Sequence, residues 1–145
     1  MPSGGIKREK ILSFLADLEK RLKRLKELRR LPRAEFLADF RNVDATIYNL
    51  QVAIEAMVDT CNHIIVREIH QSPKTYADSF QILAQAGILP EEDLPLYIAM
   101  AKFRNRVVHM YDEVTPAQVY EILQDHYDDY QRFIDQIQRY LEGRT

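Results

Sequence analysis

At 145 residues, with 46% hydrophobic and 29% charged residues, the chain has the length and balance of one globular domain with a single core. No apolar run approaches the roughly 20 residues that span a bilayer, and Met1–Gly5 is followed by charge rather than by the apolar core of a signal peptide, so the expected address is the cytoplasm. The single cysteine, Cys61, excludes an internal disulfide framework and a cysteine-rich zinc site, and its apolar surroundings make it a small core residue.

The net charge of -2 conceals an asymmetry. Residues 1–33 carry 11 Lys+Arg against 4 Asp+Glu, whereas residues 34–145 carry 9 against 18. Such a basic segment can attract a polyanion, or it can pair with the acidic body or with a second subunit. Lys and Arg alternating with Leu is the pattern of a solvated helix face, which favours the structural reading.

Few Gly and Pro residues, with abundant Leu, Ala, Glu, Lys, Arg and Gln, predict a few long helices. Ile11, Leu15, Leu18, Leu22 and Leu25 step by four and three, one apolar stripe on a helix over residues 5–30, with residues 1–5 disordered ahead of it. Leu31-Pro32 breaks it, and a short helix over Ala34–Phe40 leads into a second long one over Asn42–His70, stopped by Ser72-Pro73. Thr75–Ala86 reads as a shorter helix closed by Gly87 in the left-handed region. Pro90-Glu91-Glu92-Asp93 opens the next, with Pro95 admissible only in its first turn. Thr115-Pro116-Ala117-Gln118 starts the last, which turns Val119, Ile122, Leu123, Tyr127, Tyr130, Ile134, Ile137 and Leu141 inward. The whole is an all-α antiparallel bundle, one domain of four long helices plus one or two short ones.

The stretch Lys102–Asp112 concentrates Arg, Asn, His and Tyr where a helix is about to end. On an ideal helix Arg104 and Tyr111 fall within about 20° of one another, while Arg104 and His109 diverge by about 140°. The latter two can serve one phosphate only if the helix frays near His109 or if a two-fold axis brings in a second copy. The chemistry suited to them is metal-independent RNA cleavage. A histidine exchanges the proton of a ribose 2′-OH or of the leaving oxygen, and an arginine holds the scissile phosphate and its developing charge. Asn105 can orient the histidine or the helix end. By itself the Arg-to-His spacing is weak, and a capping histidine beside a surface arginine is the better account of it taken alone.

Arg104-Asn105-x-x-x-His109-x-Tyr111 resembles the Arg-x-x-x-x-His-x-Tyr motif of the HepT family, the HEPN toxins of HepT–MntA toxin–antitoxin pairs. Ala53–Ile65 is similar to the family's second-helix signature, and Tyr76–Leu89 and the Val119-Tyr120-x-Ile122-Leu123 start of the last helix are similar too, so that the likeness covers roughly residues 10–141. The resemblance implies a homodimeric ribonuclease with a composite site, acting on mRNA or tRNA, without a cofactor or membrane. It also implies a minimal nucleotidyltransferase antitoxin that silences the toxin by attaching AMP to Tyr111. An adenylyl group there would add bulk and negative charge to an anion-binding cleft.

Asp59, Asn62 and His63 share one face of the second long helix, as a structural polar cluster or with Asp59 orienting Arg104 or His109. His63 and His70 are too far apart, with no cysteine partner, to make a metal site expected; His126 is expected to be exposed. Two other functions remain open on the sequence: a bundle that only binds a nucleotidyltransferase, and one that binds RNA or nucleotide without turnover.

Overall fold

Ile11, Leu15, Leu18, Leu22 and Leu25 are buried as one inner stripe of helix α1, Arg8–Arg29, in the computed structural model. The structure describes residues 5–143; the expected disorder of residues 1–5 therefore falls, apart from Gly5, outside the described residues. Pro32 separates α1 from the short α2, Arg33–Ala38. Asp39 is extended, and its Oδ1 accepts from the Arg41 amide at 2.9 Å, which caps α3, Phe40–Ile64. The boundary thus lies earlier than the sequence pattern places it: Phe40 opens the long helix instead of closing the short one.

Helix α3 packs against α1 and α2 and against the three helices that follow, which is why buried residues occupy most of its circumference. Its buried hydroxyls bond back along the helix, Thr46 to the Asn42 carbonyl at 2.7 Å and Thr60 to that of Ala56 at 2.9 Å, so neither is left unsatisfied. Cys61 is fully buried among them, and burial pushes its thiol far above the usual range, as suits a core residue. The helix runs on into a π-helical turn, Ile65–Ile69, and stops at His70 in the left-handed region (φ 62°), ahead of Ser72-Pro73.

Helix α4, Tyr76–Gln85, begins at a reciprocal cap between Thr75 and Asp78, and Gly87 turns the chain at φ 78°. A 3₁₀ turn, Glu91–Asp93, leads into α5, Leu94–His109, with Pro95 in the first turn. A second 3₁₀ turn, Tyr111–Glu113, precedes α6, Pro116–Glu142, capped by Thr115 and Gln118. The architecture is all-α, with four long helices and two short ones, as the pattern predicts.

Helix α1 runs antiparallel to both α3 and α6. The Lys7 amide reaches His63 Nε2 at one end and Arg21 reaches Asn49 at the other, while Arg8 meets the Leu141 carbonyl and Arg29 that of Gln124. The Arg21 and Arg29 guanidinium carbons also lie 5.6 and 5.2 Å from the ring centres of Tyr48 and Tyr127. Part of the basic segment therefore serves to dock α1 onto the body. At the other end of the core, Phe80 of α4, Tyr97 of α5 and Phe133 of α6 form an aromatic cluster with centroids 5.3–6.3 Å apart. The Tyr97 hydroxyl donates to Gln136 Oε1 at 2.7 Å, and Gln136 Nε2 donates to Asp93 at 2.8 Å. Phe133 and Gln136 are buried members of α6 that the sequence pattern does not single out.

His63 belongs to the structural part of the polar cluster. Its Nε2 accepts the Lys7 amide at 2.9 Å, so the folded state requires that nitrogen to be unprotonated. Burial first, then the charges of Arg67, Lys10 and Lys7, hold the imidazole below its ordinary value of 6.5. A histidine depressed in the fold contributes stability that is present above the unfolded value and lost as pH falls from it toward the folded one. The unfolding midpoint is expected to drop as pH falls below about 6.5, and His63→Gln, which keeps an acceptor without a titrating ring, should flatten that drop. Parallel melting curves of the two proteins check it.

Candidate active site

The α-helical ladder of α5 continues without a break through His109, and Met110 leaves it with φ -140°. Arg104 and His109 are thus on one continuous helix and diverge by about 140°, while Tyr111 lies beyond the helix, on the turn. The near-alignment of Arg104 and Tyr111 on an ideal helix does not apply, because the helix ends between them. The Met110 amide bonds to the Arg106 carbonyl at 2.7 Å, and Arg106 Nη2 reaches the Glu113 carbonyl at 3.4 Å, tying the turn back to the helix.

Arg104 turns toward α3 and α4. Its Nη2 and Nε donate to one oxygen of Glu55 at 3.2 and 3.3 Å, and its guanidinium carbon lies 4.5 Å from the ring centre of Tyr76. A partly buried ion pair over an aromatic ring fixes the guanidinium plane while leaving one edge toward solvent. Nη1 makes a longer bond to Asn105 Oδ1, 3.4 Å. Asn105 is exposed beside Arg104 and forms no hydrogen bond with His109 among the described residues. His109 is exposed and forms no hydrogen bond among the described residues, so both ring nitrogens are open to a substrate.

Tyr111 is half exposed, and its hydroxyl donates to Asp44 Oδ1 on α3 at 2.8 Å. That hydrogen bond, with burial and the charges of Asp44 and Asp112, holds the phenol above its ordinary value of 10.0. Phe40 and Tyr48, on the same face of α3 as Asp44, are exposed, as are Val108 and Met110 near the exit of α5. An apolar and aromatic surface therefore surrounds the motif, the kind of patch that marks an interaction site.

The structure gives the orienting contact with Arg104 to Glu55, not to Asp59 one turn further on. Asp59 is exposed and forms no hydrogen bond among the described residues; desolvation and the charge of Glu55 raise its carboxyl, with Lys10 acting the other way. Asn62 accepts from the Ser79 hydroxyl at 2.6 Å, a link between α3 and α4. His126 is exposed, as expected, and pairs with Asp129 at 3.0 Å. Sequence reasoning missed Glu55, Asp44 and Tyr76. Glu55 and Asp59 are four apart on one face, so spacing alone could not choose between them, and Asp44 is 67 residues from its partner.

The all-helical fold is one that solved HEPN toxin structures share. A solved structure of tri-AMPylated Shewanella oneidensis HEPN toxin in complex with MNT antitoxin matches with a TM-score of 0.84 at 30% identity, over 92% of this chain and 99% of that one. An mRNA nuclease HepT from Shewanella oneidensis is 32% identical over 127 residues, 88% of this chain and 95% of the relative. A tRNA nuclease HepT from Aphanizomenon flos-aquae is 28% identical over 120 residues, 83% and 82% of the two chains. Residues 18–137 match the family described as ribonuclease HepT-like, and the chain belongs to it.

Proposed function

We propose that the chain is the toxin of a toxin–antitoxin pair: a homodimeric, metal-independent endoribonuclease of cytoplasmic mRNA or tRNA, silenced when a minimal nucleotidyltransferase adenylylates Tyr111. The observation that carries the dimeric site is the unbroken helix through His109. With fraying unavailable, Arg104 of one copy and His109 of another can meet one phosphate across a two-fold axis, and the exposed Val108 and Met110 on either side of His109 give that axis an apolar surface. Each Arg104, oriented by Glu55 and Tyr76, binds the scissile phosphate and takes up charge as it becomes pentacoordinate. His109 moves the proton: the 2′-oxygen attacks phosphorus, the bond to the 5′-oxygen breaks, and that oxygen leaves protonated. Asn105 steadies the guanidinium edge.

Adenylylation of Tyr111 would place a phosphodiester, and its negative charge, beside the cleft that receives the RNA backbone. The related toxin solved in its AMPylated form with MNT antitoxin supports this mode of control. The purified, unmodified protein is expected to cleave RNA without added metal, leaving 2′,3′-cyclic phosphate ends. End analysis of the fragments checks it, and intact RNA after incubation with protein shown by mass to be unmodified would overturn the enzyme reading.

A further inference from the structure

We propose that Asp44 receives the phenolic proton of Tyr111 as that oxygen attacks a nucleoside triphosphate, which makes Asp44 a residue of the target that takes part in its own modification. The inference rests on the reading of Tyr111 as the adenylylated residue. Its basis is a contact between two elements distant in sequence: the Tyr111 hydroxyl donates to Asp44 Oδ1 at 2.8 Å, and Asp44 has no other partner among the described residues. Asp44 stands inside the 25-residue α3, so its position is fixed, while Tyr111 sits on a short turn. Both side chains are exposed, so a phosphorus atom can approach the phenolic oxygen while its hydrogen stays on Asp44.

The charged groups acting on the phenol are Asp44 from α3 and Asp112 from its own turn, and both oppose a free phenolate. The oxygen must then lose its proton as the new bond forms, and the acceptor in place is Asp44. In the step, the bond from the tyrosine oxygen to the α-phosphorus forms and the bond from that phosphorus to the bridging oxygen of the β-phosphate breaks. Pyrophosphate leaves, and the phenolic proton passes to Asp44 and on to solvent. The aryl ester has no hydrogen to donate and carries a negative phosphodiester, so the contact with Asp44 cannot re-form.

The test is single-turnover adenylylation of the full chain by its nucleotidyltransferase with ATP and Mg²⁺, read by intact mass across neutral to alkaline pH. Wild type should gain adenylyl mass and Tyr111→Phe none. Asp44→Asn should react about 100-fold more slowly near neutrality, with the deficit shrinking as hydroxide takes over the proton and with KM for the toxin little changed. Asp44→Glu should recover part of the rate. Equal rates for Asp44→Asn and wild type, a slowing of the same factor at every pH, or an effect confined to KM would each overturn the role of Asp44. An unmodified wild type, or adenylylated Tyr111→Phe, would instead bring down the reading of Tyr111 and this inference with it.

Discussion

Neither an Arg104→Ala copy nor a His109→Ala copy is expected to cleave RNA by itself, yet the two co-expressed are expected to regain cleavage. Each substitution alone should lower the rate by about 10²–10⁴-fold, the usual worth of a proton-transfer group or of a clamp on developing charge. Arg104 is directed at Glu55 and Tyr76 between α3 and α4, whereas His109 leaves α5 on another side with no hydrogen-bond partner among the described residues. A site that takes its arginine from one copy and its histidine from the other keeps one intact pair in a mixed dimer. Random mixing then returns about a quarter of the wild-type rate, since half the dimers are mixed and each holds one competent site of two. If both parents and the mixture are equally inactive while mass spectrometry shows mixed dimers present, the two-copy site is wrong.

Phe133→Ala is expected to be the most damaging single truncation in the body of the molecule. The ring is fully buried on α6 and meets Phe80 edge-on at 6.3 Å and Tyr97 at 5.7 Å between centroids. Removing it takes away the transfer energy of a phenyl group and leaves a cavity between three helices, together about 3–5 kcal/mol. For a chain of this size the unfolding midpoint should fall by roughly 10–20 °C. Tyr97, having lost a ring neighbour, still donates to Gln136, so the helices should keep their places. Calorimetry checks the loss; a shift of only a degree or two would mean that the cluster closes over the gap.

The parts of the fold legible in the sequence are those decided within a few residues. The Thr115–Gln118 cap, Gly87 and the Pro95 first turn all rest on contacts at most four residues apart, and each stands where the pattern puts it. The close of the second long helix at His70 was legible from Ser72-Pro73, but its last turn being π-helical and His70 being left-handed were not, because a histidine carries no residue-type signal of the kind a glycine does. Within the site, the end of α5 beside His109 could be read from Asp112-Glu113 and the following cap. The partners of its side chains could not: Glu55 and Asp44 reach Arg104 and Tyr111 from 49 and 67 residues away. Only the packing of α3 against α5 decides which carboxylate on that face meets which group.

The exit of α5 also sets where this chain can change length. One residue inserted between Arg104 and His109 would turn the imidazole by about 100° and advance it by about 1.5 Å, out of register with everything before it. One inserted between Glu113 and Thr115 would leave Arg104, His109 and Tyr111 where they are, because the Thr115–Gln118 cap re-forms from its own residues. Descendants of this sequence are therefore free to gain or lose residues after the tyrosine turn and are held to a fixed count before it.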